Sequence, residues 1–406
     1  MEGGHFMSFE SQRVKQISSS PSMIISMRAK ELASQGRDIV DMSLGEPDFD
    51  TPAHIIDAAC QAMRDGHTRY TAPQGTLALR QAIVSKFQRE NGLDYSVDEI
   101  TVGNGAKQVI FNTFMATLEA GDEVIIPAPY WVSYSDIVTL NGGSPQVIAC
   151  GIEVGFKLTA EALQAALTEK SRWLVLNSPS NPSGAIYSLA ELQALGKVLE
   201  DFPNVLVMSD EIYEHVLLAD QPFVSFANAC PQLRERTLLI NGVAKAYAMT
   251  GWRIGYAAGP KALIAAISKI QSQSTSGASA ISQEASRAAL QGPQDFVKRS
   301  ATEYAARGRL LVDGLRQCAG LRLSAPAGAF YAFPECSQLL GRVSPDGQVI
   351  SDDVELSAYL LNHAGVAVVP GLAFGLPGYF RLSFATSREN LQKAVVRIRE
   401  ALDALR

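Results

Sequence analysis

From about residue 98 onward, short unbroken apolar runs alternate with stretches in which apolar residues return at every third and fourth position. The runs 99–102 (EITV), 122–127 (DEVIIP), 173–177 (WLVLN), 204–210 (NVLVMSD), 237–241 (TLLIN) and 254–259 (IGYAAG) lack polar alternation. That pattern predicts strands covered on both faces. Between them, Ile110, Phe111, Phe114, Met115 and Leu118 trace one face of a helix. Ser188 and Glu191 form a capping box ahead of Leu189, Leu192, Leu195 and Leu199, which predicts a second helix. Strands and helices in alternation predict an α/β domain with a mostly parallel sheet.

After about residue 293 the rhythm changes. A helical region runs to Cys318, followed by 328–333 (GAFYAF), a helix ending at Gly365, then 366–371 (VAVVPG) and 380–384 (FRLSF). A last helix, opened by a box at Thr386 and Glu389, carries Leu391, Val395, Ile398, Leu402 and Leu405. Fewer strands, set late among helices, predict a smaller α+β domain. In FRLSF, Phe380, Leu382 and Phe384 share one face and Arg381 and Ser383 the other, which is either open solvent or a cleft. With no repeat, low-complexity tract or flexible linker, the two parts are expected to pack closely.

Composition narrows the class. A chain of 406 residues, 47% hydrophobic and 19% charged, is globular and long enough for two or three domains at roughly 150 residues each. A net charge of −6 gives no electrostatic reason to expect nucleic acid or an anionic membrane as partner. The five cysteines (Cys60, Cys150, Cys230, Cys318, Cys336) are scattered, without a C-x-x-C pair, and no H-E-x-x-H occurs. A reducing compartment and buried thiols are expected, with neither a disulfide framework nor a metal site. The opening MEGGHFMSF has no basic run followed by an apolar core, and no apolar stretch reaches about 18 residues, so a cytoplasmic protein is expected.

Several residues stand where chemistry is done. Lys245 follows a buried strand among Ala, Val, Tyr and Met, with Arg253 the nearest other charge. Desolvation there would lower its pKa, as a Schiff-base lysine requires; a buried stem with a solvated head is the other reading. Arg253, between Gly251 and Gly255, suits a two-pronged grip on phosphate or carboxylate, or a structural ion pair. The turn 103–107 (GNGAK) follows a strand and opens a helix, so its backbone N–H groups could cradle an anion, although an ordinary strand–helix turn looks similar. It matches neither a dinucleotide fingerprint nor a P-loop. Asp210 ends an apolar strand, where α/β sheets place ligands, and either holds a protonated ring nitrogen or caps the next helix. Tyr213 and Asn181 could both donate to a phenolate-like oxygen, Asn181 being equally readable as a turn residue before Pro182.

Taken together with their contexts, these residues resemble the fold type I pyridoxal-phosphate aminotransferases. More narrowly, the chain is similar to bacterial aspartate aminotransferases of subgroup Ib. The matching strings run from about Pro21 to the C-terminus: GEPDFDTP (45–52), RYTAPQGTLALR (69–80), GDEVIIPAPYWVSY (121–134), NSPSNPSGA (177–185), SDEIYEH (209–215), AKAYAMTGWRIGYAAGP (244–260), VAVVPG (366–371) and RLSFATS (381–387). The resemblance implies pyridoxal 5′-phosphate as cofactor. Lys245 would bond to it covalently and shuttle the substrate proton, and Asp210 would keep the pyridine nitrogen protonated. Asn181 and Tyr213 would bind the 3-oxygen, and Trp131 would stack on the ring. Gly105, Ala106, Lys107 and Arg253 would surround the phosphate, which Tyr70 would reach from the neighbouring subunit of a homodimer. Arg381 would pair with the substrate α-carboxylate, assisted by Gly45, Trp131 and Asn181.

The implied domains are a large cofactor-binding domain over 48–295 and a discontinuous small domain of 15–47 with 296–406, behind a tail of 1–14. The implied activity moves an amino group from an L-amino acid, aspartate first, to a 2-oxo acid such as 2-oxoglutarate, by a ping-pong route. Aromatic or other neutral amino acids are the alternative, and a β-lyase on the same scaffold is a further one. A DNA-binding regulator would need a module ahead of the fold, where about 20 residues precede Pro21. One departure bears on specificity. Ser22-Met23-Ile24 stands where the subgroup carries Ser-Ala-Thr. Losing the threonine hydroxyl to Ile24 is expected to weaken recognition of a second carboxylate, in which a lysine matching Lys107 takes part.

Overall fold

A computed structural model of the chain describes residues 9–406. The opening MEGGHFMS, including its reading for a leader and most of the expected tail 1–14, lies outside the described residues. Seven strands form the principal sheet: β1 (Ile100–Gly103), β2 (Glu123–Ala128), β3 (Ser144–Ala149), β4 (Ser171–Asn177), β5 (Leu206–Asp210), β6 (Thr237–Gly242) and β7 (Gly255–Ala258), in the order β1-β7-β6-β5-β4-β2-β3. All neighbours are parallel except that β7 runs antiparallel to both β1 and β6. The central strands are apolar throughout because both faces are covered. Along β4, Trp173 and Val175 enter one core while Leu174 and Leu176 enter another on the opposite side.

β3 has no counterpart among the strands read from periodicity. It pairs only with β2, at the sheet edge, and its positions are exposed or half-buried, so Pro145 and Gln146 interrupt the apolar run without penalty. The Ser188 capping box forms as expected and opens the helix Leu189–Glu200. The final helix starts one residue later than expected. Ser387, not Thr386, accepts the Asn390 N–H at 3.1 Å, while Thr386 Oγ1 takes the Asn390 side chain at 3.0 Å.

The second part is built around β8 (Tyr331–Ala332), β9 (Val369–Pro370) and β10 (Phe380–Ser383), antiparallel in the order β9-β10-β8. The N-terminal segment joins it: Val40 and Asp41 pair in parallel with Val366 and Ala367, and Ser383 donates to the Met42 carbonyl at 2.8 Å. Val40 and Met42 therefore share one apolar core with Phe330, Leu382 and Leu391. Four of the five free cysteines are buried and Cys60 is partly so. Among the described residues, no helix is long and apolar enough to cross a membrane.

Topology gathers the chain's chemistry at one end of the principal sheet. The parallel strands β4, β5 and β6 finish side by side at Asn177, Asp210 and Gly242. Because β7 is antiparallel, its first residue, Gly255, sits beside the last residues of β1 and β6, Gly103 and Gly242. The loops bearing Asn181, Tyr213, Lys245, Arg253 and Gly105 thus open into one space, at the strand ends where α/β sheets bind ligands.

Candidate active site

That space is a cavity of about 410 Å³ roofed by the second part of the molecule. Gly45, Gly105, Ala106, Lys107, Trp131, Asn181, Asp210, Tyr213, Lys245, Arg253 and Arg381 all line it. Tyr70 is the only expected site residue that does not; it stands on the surface, 99% exposed.

Lys245 reaches into the cavity and donates to the Gly45 carbonyl at 2.6 Å. Burial pushes its pKa down to about 8, with Glu46 pulling weakly the other way, so a substantial fraction of the amine is neutral near physiological pH. The missing side chain at Gly45 makes room for Tyr331, whose hydroxyl would lie 2.5 Å from a Cβ there.

Asp210 is buried at the end of β5. No helix follows for it to cap. Its oxygens accept instead from Tyr134 Oη at 2.6 Å and from the Ile212 N–H at 3.2 Å. Burial raises its pKa to about 6, those two donors acting in the opposite direction. Tyr213 exchanges a hydrogen bond of 2.6 Å with Tyr331. Tyr134 and Tyr331 were not singled out by sequence reasoning, because a tyrosine inside an apolar run reads as core until its hydroxyl finds a functional partner.

Arg381 is not on a solvent face. It is buried, donates to Asn181 Oδ1 at 3.0 Å and to the Ser43 carbonyl, and stacks over the rings of Tyr331 (4.7 Å) and Phe374 (4.9 Å). Its Nε is buried with no partner among the described residues. Of the two readings left open by strand alternation, solvent or cleft, the structure gives the cleft, because a second layer covers that face of β10.

Gly105 ends the turn after β1 with φ +84° and caps the helix Ala106–Thr117. A Cβ at Gly105 would meet the Arg253 guanidinium at 2.5 Å, so glycine lets the cation lie against the helix N-terminus. Among the described residues, Arg253 makes only carbonyl contacts, to Thr250 at 3.0 Å and Asn104 at 3.3 Å. Lys107 Nζ lies 4.9 Å from the Trp131 ring centre, and its pKa is lowered by burial and by Arg253. Among the described residues, none of the four cavity cations (Lys107, Lys245, Arg253, Arg381) forms an ion pair with a carboxylate. Such a site is built to receive anions.

The N-terminal helix Pro21–Ser34 contributes less than expected. Ser20, Ser22 and Met23 line the cavity, whereas Ile24 does not; exposure does not separate the two, Met23 being 57% and Ile24 54% exposed. The departure that touches the cavity is therefore Met23, because consecutive helical side chains point about 100° apart.

Comparison with known proteins agrees with this geometry. Residues 37–398 match the family model described as aminotransferase class I and II. An aspartate/prephenate aminotransferase of Nitrosomonas europaea is 50% identical over 394 residues, covering 97% of this chain and 99% of that one. The crystal structure of the aspartate aminotransferase from Rhizobium meliloti is similar with a TM-score of 0.95 at 51% identity, covering 98% of this chain and 100% of that one. An aspartate aminotransferase from Thermus thermophilus, solved with maleate, gives a TM-score of 0.90 at 42% identity over 98% of this chain and 100% of that one.

Proposed function

Because the chain belongs to the class I and II aminotransferases, we propose that its cavity binds pyridoxal 5′-phosphate and transfers the amino group of L-aspartate to 2-oxoglutarate. The observation that carries the reading is the set of four cations, without carboxylate partners among the described residues, that share one cavity with the buried carboxyl of Asp210. The residues present fit that cofactor. Gly105, Ala106 and Arg253 offer a helix N-terminus and positive charge for the phosphate, with Lys107 on the ground beside it. Trp131 offers a flat face, and Asp210 a partner for the pyridine N–H. The amide of Asn181 and the hydroxyl of Tyr213 are donors for the 3-oxygen. Lys245 is the amine that would hold the cofactor through its aldehyde carbon. Bound there, the cofactor supplies a sink for the electron pair left when the substrate Cα–H bond breaks.

The chain's own groups do the rest. Arg381 binds the substrate α-carboxylate in a dry setting where a charge-assisted pair is strong, and Asn181 holds the guanidinium in place. The Gly45 carbonyl holds the Lys245 amine in position to remove the Cα proton, which it would deliver two bonds away, to cofactor carbon C4′ beyond the transferred nitrogen. Trp131 and the covering second part keep water off the reacting atoms. Lys107, facing the cavity without a carboxylate partner, takes the distal carboxylate of aspartate.

Met23, Leu44 and Ile110 also line the cavity. This apolar side favours a second acceptor, prephenate, which appears in the name of the Nitrosomonas relative and carries both a ring and a second carboxylate. Tyr70, exposed and away from its own cavity, is assigned to the phosphate of a second copy, which makes a homodimer the working unit. The division into 48–295 and 15–47 with 296–406 belongs to the same reading, supported by the pairing of Val40 with Val366. So does a cytoplasmic setting, supported by the free cysteines.

The test is a half-reaction. The cofactor-loaded protein with aspartate alone should convert its cofactor to pyridoxamine phosphate stoichiometrically and release oxaloacetate. With cysteine in place of aspartate, pyruvate, ammonia and sulfide released catalytically without an acceptor, and no half-reaction with aspartate, would replace this reading with a lyase.

A further inference from the structure

Behind the loops of Asp210 and Lys245 lies a buried polar cluster with no contact to the cavity. Lys86, at the end of the helix Leu77–Lys86, is fully buried, and its ammonium donates to Glu214 and, at 2.9 Å, to Asn91 Oδ1. Asn91 Nδ2 donates to the other Glu214 oxygen at 2.9 Å, and Asn241 Nδ2 donates to Glu214 at 2.6 Å. Asn241 in turn accepts the Gly242 N–H at 2.7 Å. Glu90 borders the cluster, 3.6 Å from Lys86 and 2.9 Å from His215. Glu90, Glu214 and His215 lie near enough together to suit a metal ion, but the Lys86 ammonium already supplies the positive charge there.

Glu214 is four residues beyond Asp210 and one beyond Tyr213; Asn241 is four residues before Lys245. The Glu214–Asn241 bond therefore ties the loop of two expected site residues to the strand end that launches the third. We propose that Glu214, gripped by Lys86, Asn91 and Asn241, is a positioning residue that sets Asp210 and Tyr213 in register with Lys245. An ion pair this deep is weak evidence for stability, since apolar replacements of buried pairs are often tolerated, whereas geometric specification is a use for which such pairs are retained. The inference rests on the cofactor reading above for its kinetic arm alone.

The test replaces the pair as a unit, Lys86→Met with Glu214→Leu, so that no buried charge is stranded. Hydrogen exchange is measured without cofactor, and the cofactor's visible band and kcat are then measured on the loaded protein. The stranded Asn91 and Asn241 amides lower the unfolding temperature somewhat, and positioning predicts that the faster amide exchange is nevertheless confined to 210–216 and 241–247. It also predicts a shifted pH midpoint of the band and kcat lowered at least about tenfold with KM little changed. Parental exchange, band and kcat in the folded double variant would overturn it. Should that variant not fold, Asn241→Ala cuts the tie between the loops, along with the local acceptor of the Gly242 N–H, and must show the same signs in smaller measure; parental behaviour there is equally fatal. A parent protein without a cofactor band would sink the cofactor reading instead, while the exchange experiment still decides the tie.

Discussion

Arg381 and Asn181, 200 residues apart in the chain, meet in a buried hydrogen bond of 3.0 Å from guanidinium to amide oxygen. A guanidinium only donates, so the bond fixes the orientation of the amide: its oxygen is taken by Arg381 and its NH₂ is left to donate elsewhere. One contact thus couples the expected carboxylate clamp to the expected donor for the cofactor oxygen. Arg381→Leu should lower kcat/KM for aspartate by about 2–5 kcal/mol, roughly a factor of 30 to several thousand. Steady-state kinetics with aspartate checks this; a loss under about threefold would remove Arg381 from substrate binding.

Lys245→Ala should abolish turnover and prevent covalent fixing of the cofactor by borohydride, read as an absent mass increment on the peptide 244–253. Because burial holds the parent amine near pH 8, its reaction with a simple aldehyde in the cofactor-free protein should rise with a midpoint at about 8. A midpoint at the ordinary lysine value would mean that the cavity does not desolvate this amine.

Substrate choice should follow Met23 rather than Ile24. Met23→Ala removes apolar surface lining the cavity and should lower kcat/KM for phenylalanine relative to aspartate by about 1–3 kcal/mol. Ile24→Thr, outside the lining, should leave that ratio within about twofold, less than the worth of a typical hydrogen bond. A panel of aspartate, phenylalanine and alanine measures both, and a larger response at Ile24 would reverse the assignment.

Glu211, beside Asp210, carries a pH signature. It is buried, its Oε2 has no partner, and burial with Glu214 nearby raises its pKa to about 8. Between the ordinary carboxyl value and pH 8 the native state keeps a proton that the unfolded chain gives up. Its contribution to stability is therefore greatest in acid and falls as pH rises through that window. Glu211→Gln, which mimics the protonated form, should gain in Tm over the parent as pH is raised from 5 to about 8.5. A Tm difference independent of pH would show that Glu211 is already ionised at pH 5.

Much of this was legible along the chain. Unbroken apolar runs mark β2, β4, β5 and β6 because strands covered on both faces need no polar alternation. The Ser188 box marks a helix start because its two hydrogen bonds are local. β3 escaped because an edge strand is half-exposed, and Thr386 misled because a one-residue choice of cap is decided by where the chain enters the helix. The residues expected at the site, Tyr70 apart, do converge on one cavity. The strings that carry them are short and local, and each sits at a strand end or turn.

The sequence by itself determined the class of fold, the family and the side chains that meet in the cavity, since periodicity and motifs are properties of neighbouring residues. Tertiary structure decided how those side chains are charged and aimed. Desolvation brings Lys245 and Asp210 towards neutrality, and it depends on what covers them. The second layer over β10 turns Arg381 from a surface cation into a buried clamp. Tyr134, Tyr331 and Glu214 gained their places only when strands from distant parts of the chain met. Burial and long-range hydrogen bonds are sums over residues far apart in sequence, and no local pattern encodes them.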